Sequence, residues 1–259
     1  MTSRADTVDS MRLALDSFGA TVRSLTPGQW ALPSLCPGWT VRDVVVHTTM
    51  IESALLGWRP GGANPFDAMP AIARELADLD DGALLDRYDT VAAGRLAELD
   101  GLGDEEFEAP SITPVGTATY GRFVRIRVFD VWVHERDIRV ALGLPGEDGG
   151  PAAELALDEV RSSMGFIVGK KIGMPDGSSL AVDLTGPVEA HLYARVDGRA
   201  KVVDALDDPT VTLTTDSLTF MLLACGRIDP EVPIADGRIR WSGDDDLGRR
   251  ATRNLAFTM

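Results

Sequence analysis

"SLCPGWTVRDVVVHTTMIE", residues 34–52, decides how the first half of the chain is read. A Cys-Pro-Gly-Trp turn runs straight into Thr40, and Asp43 follows three residues later. That is capping-box spacing, in which a hydroxyl and a carboxylate satisfy the orphan backbone N–H groups of a helix start. Val44, His47, Ile51 and Ala54 then fall on one stripe by i, i+3, i+4 spacing. An imidazole therefore shares the inward face of an apolar helix, in a chain with three histidines. Two readings stand here: a hydrogen-bonded core histidine, or a ligand.

Outward from this helix, the pattern on both sides is helical. Val8, Met11, Leu15, Phe18 and Val22 predict a helix from about residue 5 to 25. Met69, Ile72, Ala73 and Leu76 predict a short one, and Leu84, Leu85, Tyr88, Val91, Leu96 and Leu99 a longer one. Residues 100–118, rich in Gly, Pro and acids, read as a loop. A helix over about 119–142 follows. Residues 1–145 thus read as an all-α bundle of four main helices with one long crossover. "GLPGEDGGP", residues 143–151, is a stop signal and a linker. Residues 151–259 change texture. A helix at about 151–170 precedes the strand-like runs "SLAVDLTG", "EAHLYARV", "AKVVDA" and "TVTLTT". A helix, the short strand "GRIRWSG" and a terminal helix close the chain. This half reads as a small α+β domain, so the fold class is α+β.

Composition narrows the function classes. A hydrophobic fraction of 44% fills a core, while a net charge of -15 argues against binding polyanions, whether nucleic acid or anionic membrane. Two distant cysteines, Cys36 and Cys225, make no disulfide framework. No apolar run approaches a membrane span, and the amphipathic N-terminal stretch lacks a signal-peptide core. A reduced, cytoplasmic protein is expected.

Chemistry concentrates on the helix near residue 130. Asp130 and His134 are four apart, Asp137 follows three later, and the three share a stripe with Phe123, Ile126 and Ala141. A carboxylate and an imidazole at this spacing can converge on one metal ion. His47 is the other histidine of the predicted bundle and completes a three-ligand set with Asp130 and His134. Two imidazoles and a carboxylate suit zinc, nickel or another divalent first-row ion. Asp137 then accepts the free ring N–H of a ligand histidine. The competing reading pairs Asp130 and Asp137 with Arg127 and Arg136 on a surface face. Elsewhere, His191 reads as an ordinary strand histidine, Cys36 as a small buried residue at a turn, and Trp39 as an anchor at the helix entry. Neither G-x-S-x-G, a Walker A loop nor G-x-G-x-x-G occurs.

"LCPGWTVRDVVVHTTMIE" together with "DVWVHERDI" resembles the mycothiol-dependent maleylpyruvate isomerase family, within the DinB-like metal-binding superfamily. The resemblance implies a four-helix DinB-like bundle holding a divalent ion, usually zinc, through His, Glu and His. A small sterol-carrier-like second domain is implied by "VDLTGP", the Thr-Asp-Ser helix start at 215–217 and "LLACGRI". Asp130 stands where the family has glutamate, one methylene longer. The implied activity is metal-dependent, with mycothiol as thiol cosubstrate and a small electrophilic substrate, by cis-trans isomerisation or S-transfer. Arg227, in "LLACGRI", matches an arginine of the family's second domain, which implies a cation for an anionic substrate. Two other functions are weighed beside it: a ligand-binding or regulatory module, and a metal-dependent hydrolase.

Overall fold

A computed structural model describes residues 3–258. The chain divides into two compact units, residues 1–146 and 147–259, with the division inside the Gly/Pro-rich segment at 143–151.

The first unit carries α1 (Arg4–Arg23), α2 (Val41–Leu55), α3 (Met69–Ala77), α4 (Asp81–Asp100), α5 (Asp104–Phe107), a hairpin of β1 (Pro110–Thr113) and β2 (Gly116–Thr119), and α6 (Tyr120–Arg139). Side-chain caps set where the long helices begin. Ser3, Thr40, Asp80 and Thr119 each accept a backbone N–H of the first turn of α1, α2, α4 and α6. Caps of this kind contribute about 1 kcal/mol each. Thr40 and Asp43 form the capping box expected from their spacing. The four long helices pack on one another through Leu15, Phe18, Val44, Leu55, Leu84, Leu99, Val124 and Val128, all essentially without exposure.

Two expectations need correction. Residues 100–118 are not a plain loop, because they hold α5, β1 and most of β2. The hairpin turns at Gly116, whose φ of +100° favours glycine, and Thr113 Oγ1 donates to the Gly116 carbonyl at 2.6 Å. Its alternation is inverted: Ser111 and Thr113 face inward while Ile112 and Val115 are exposed. A pattern with polar residues inside gives no strand signal. The second correction concerns α6. It has no solvent face to speak of, since Arg127, Glu135, Arg136, Asp137 and Arg139 are all buried. The surface reading of Asp137 therefore fails.

Phe107 packs against the first turn of α6 at Gly121, where a Cβ would overlap the phenyl ring. Gly121→Ala is expected to cost about 1–3 kcal/mol through this overlap, more than the helix propensity it gains at a first-turn position. A lower midpoint in urea denaturation checks it.

The second unit opens with α7 (Pro151–Phe166), which continues as a π-helical turn over Ile167–Ile172 and stops at Gly173. It then holds β3 (Ser179–Thr185), β4 (Ala190–Asp197), β5 (Arg199–Val202), β6 (Val211–Asp216), α8 (Ser217–Ala224), α9 (Glu231–Ala235), β7 (Ile239–Gly243) and α10 (Asp245–Arg253). The sheet order is β5-β4-β3-β6-β7, with β3 and β6 parallel and every other pair antiparallel. Leu180, Val182, Val211 and Leu213 face the core, with Val160, Met164 and Phe220 from α7 and α8. The predicted strands are all present; α9 is an element the periodicity does not signal. Among the described residues, no helix is long and apolar enough to cross a membrane.

Candidate metal centre

The Pro-Gly-Trp turn fixes the geometry of the site. Gly38 adopts φ +79°, Trp39 N donates to the Cys36 carbonyl at 3.0 Å, and Ser34 N donates to the Trp39 carbonyl at 2.9 Å. Leu35 N donates to the backbone carbonyl of Asp137 at 2.9 Å, which fastens the turn to α6. Trp39 is thereby laid over both helices. Its ring centroid is 4.9 Å from that of His47 and 5.8 Å from that of His134, nearly parallel to the latter. The sequence marks Trp39 only as a helix-entry anchor; in the structure it also roofs the two imidazoles.

His47 from α2 meets Asp130 and His134 from α6. One donor atom from each lies within 4.8 Å of the other two. His47 Nε2 is 3.7 Å from Asp130 Oδ2, and His134 Nε2 is 3.8 Å from Asp130 Oδ1. Both separations exceed hydrogen-bond length. Bonds of about 2.1 Å to a tetrahedral ion put donor atoms about 3.4 Å apart; the two imidazole–carboxylate separations are a few tenths of an ångström longer and run one to each Asp130 oxygen. His47 Nε2 is buried and has no hydrogen-bond partner. A buried unsatisfied nitrogen facing a carboxylate and a second imidazole fits a site built for a cation. Aspartate reaches this position despite its short side chain.

His134 Nδ1 lies 2.8 Å from Asp137 Oδ2, and Asp137 is fully buried. A carboxylate at that distance holds the proton on Nδ1 and leaves the Nε2 lone pair free for a metal. Cys36, His134 and Asp137 form a second group with donor atoms within 4.8 Å of one another, all buried. Cys36 is buried as expected, yet its neighbourhood is not legible in sequence, because the Leu35–Asp137 backbone bond creates it.

Charge at the site is arranged by residues outside the three. Arg127 Nη1 donates to Asp130 Oδ2 at 2.7 Å, and Arg127 Nε donates to Glu52 Oε1 at 2.8 Å. Glu52 Oε2 accepts from Arg95 Nε at 3.2 Å, and Arg95 continues to Glu98 at 2.8 Å and to the Tyr120 hydroxyl at 3.1 Å. Burial opposes ionisation of Asp130, but the Arg127 guanidinium and the two imidazoles outweigh it and hold the carboxyl well below the usual range. Burial pushes the His47 imidazole down, with Asp130 opposing only in part. His47 is thus neutral at pH 7, the form that ligates metal.

These directions carry a pH dependence. A buried group with a depressed folded-state pKa binds its proton more readily in the unfolded chain. Stability of the metal-free protein should therefore fall as pH drops below about 6.5, the ordinary histidine value, through the lowered value of His47. Asp130 adds a second loss at much lower pH. Melting temperature measured from pH 7.5 to 5 checks this, and His47→Gln should flatten the upper part of the profile.

Arg227 belongs to the second unit. It is buried, and its Nη1 donates to the Cys225 carbonyl at the end of α8 at 2.8 Å. His191 is exposed on β4 and lies 2.7 Å from Asp183 on the paired strand, as an ordinary strand histidine.

A helical unit carrying a convergent His-Asp-His donor set, followed by a small sheet-containing domain, defines a two-domain class of candidate metalloproteins. The mycothiol maleylpyruvate isomerase N-terminal domain matches residues 11–139, and the MDMPI C-terminal domain matches residues 154–250. The chain belongs to the mycothiol maleylpyruvate isomerase family. The fold agrees: the crystal structure of the mycothiol-dependent maleylpyruvate isomerase overlays with a TM-score of 0.64 at 17% identity, covering 93% of each chain. An uncharacterized protein of Mycobacterium tuberculosis H37Rv is 27% identical over 215 residues, 78% of this chain and 81% of that one.

Proposed function

We propose that this protein is a cytoplasmic, mycothiol-dependent enzyme whose divalent ion, zinc or else nickel, is held by His47, Asp130 and His134. The reaction is cis-trans isomerisation of a small electrophilic acid, or thiol transfer to one. The observation that carries the reading is the buried, unpartnered His47 Nε2 facing Asp130 and His134. Family membership supports the choice of thiol. When bound, a divalent ion lowers the pKa of a thiol or polarises a carbonyl oxygen.

The chain's own residues supply the rest. Asp137 sets the tautomer of His134 through Nδ1, so that Nε2 is the ligating atom. Arg127 keeps Asp130 ionised. Trp39 covers the imidazoles and limits water around them. The family resemblance of "LLACGRI" supports Arg227, buried in the second unit, as a cation for an anionic ligand. In isomerisation a thiolate adds to one alkene carbon, the resulting single bond rotates, and expulsion of the same thiolate restores the alkene as the trans isomer. The thiol is regenerated. In transfer the adduct is protonated and released, so the thiol is consumed.

Elemental analysis of protein purified without a metal-affinity tag comes first, followed by assay with mycothiol and maleylpyruvate. Stoichiometric metal with thiol-dependent turnover is expected. An unchanged thiol titre marks isomerisation, and a falling titre marks transfer. Turnover that ignores mycothiol, or protein that takes up neither zinc nor nickel, overturns the proposal.

A further inference from the structure

We infer that Arg127, backed by Glu52, is a positioning residue that fixes the Asp130 carboxylate in the ligand position and sets the charge felt by a bound dication. This rests on the metal reading of His47, Asp130 and His134.

Three observations carry it. First, the pairing is directed through one fork. Arg127 spends Nη1 on Asp130 and Nε on Glu52, so a single planar guanidinium locks a carboxylate of α6 to one of α2. Asp130 is the more exposed partner, with 27% of its side chain accessible, whereas Arg127 and Glu52 retain 5% and 1%. The rigid pair thus holds the freer group.

Second, the charges alternate. Asp130, Arg127, Glu52, Arg95 and Glu98 form a chain of ion pairs across α6, α2 and α4. Without Glu52, Arg127 and Arg95 lose the counter-charge they share, and the net positive charge beside a position that takes a dication rises. Repulsion in a buried site is poorly screened, so a neutral residue at 52 should weaken the ion's hold.

Third, Arg127 Nη2 is buried with no hydrogen-bond partner. The hydrogen bonds of the guanidinium therefore go to the two carboxylates, which leaves it directed at Asp130 and Glu52.

The test uses full-length metal-free protein titrated with Co2+ and with Zn2+ against a competing chelator, with the visible spectrum of bound Co2+ as a second readout. Arg127→Lys keeps the charge and loses the fork. Glu52→Gln keeps the hydrogen-bond acceptor and loses the charge. Each is expected to weaken both ions by about ten- to a hundredfold and to change the Co2+ spectrum, the scale seen for residues that orient metal ligands. Glu98→Gln, at the partly exposed far end of the chain of pairs, should stay within about threefold of wild type because solvent screens it. If Glu52→Gln loses its far-UV circular dichroism, Arg127→Lys alone decides. Wild-type affinity and an unchanged Co2+ spectrum in the folded variants overturn the inference while leaving the metal site standing. Failure of the wild type to bind either ion overturns the metal reading itself.

Discussion

His47→Ala is expected to lower zinc affinity by at least about a hundredfold while leaving the fold intact. Both halves follow from where the imidazole sits. Its Nε2 makes no hydrogen bond, so truncation leaves no partner newly unsatisfied through that atom. The ring's contacts with Trp39 and His134 are lost, which costs about 1 kcal/mol. Against this, truncation also removes a buried ring nitrogen that has no hydrogen-bond partner, and so relieves the cost of burying it. The two effects oppose each other, so the melting temperature of the metal-free protein should move little. The holoprotein should behave differently. It loses the stabilisation that a bound ion lends to the folded state, which grows with the ratio of metal concentration to dissociation constant. Wild-type protein should therefore gain melting temperature with added zinc, and His47→Ala should not. His134→Ala is a poorer probe, because it also deletes the ring nitrogen beside the fully buried Asp137 carboxylate. Metal content equal to wild type in His47→Ala would remove that residue from the ligand set.

The same residues show what a sequence can carry. The α2 helix is legible because its start is written locally: Thr40 and Asp43 cap it, and the valines set its inner face. His47, Asp130 and His134 could be grouped because two of them share a helical stripe and few histidines are available as the third. Glu52 could not be found this way. It lies five residues after His47, off that stripe, and its partners Arg95 and Arg127 come from two other helices. Spacing along one helix says nothing about which charges meet between helices. The α6 helix misleads for a related reason. Periodicity detects a contrast between wet and dry faces, but α6 is buried nearly all round, and its charged residues answer to one another. Glu135, for example, accepts from Thr21 of α1 as well as from Arg136 and Arg139. Family resemblance supplies the chemistry that composition and spacing leave open, above all the thiol.

The largest stability effect should come from Arg95, which touches none of the three candidate ligands. Its side chain is 1% exposed and donates to Glu52, Glu98, the Leu55 carbonyl and the Tyr120 hydroxyl. Burial pushes its pKa down, yet the surrounding acceptors, Glu52 first among them, outweigh this and raise it above the ordinary arginine value. Arg95→Met fills much of the same volume but strips these groups of their cation. The expected cost is about 3–5 kcal/mol, a large share of what a domain of this size possesses. An exposed pair gives the contrast. Arg12 and Asp100 lie 2.7 Å apart with 38% and 52% of their side chains accessible, and Arg12→Met should cost no more than about 1 kcal/mol. Distance does not separate the two cases; desolvation does. A double variant isolates the cause. If the penalty of Arg95→Met is an uncompensated Glu52 charge, adding Glu52→Gln should recover part of it, so the two losses fall short of their sum. Urea denaturation of the four proteins, read by circular dichroism, measures this coupling. A single-variant cost near that of Arg12→Met, or strictly additive losses, would mean that the buried ion pairs do not hold α2 and α4 together as their geometry implies.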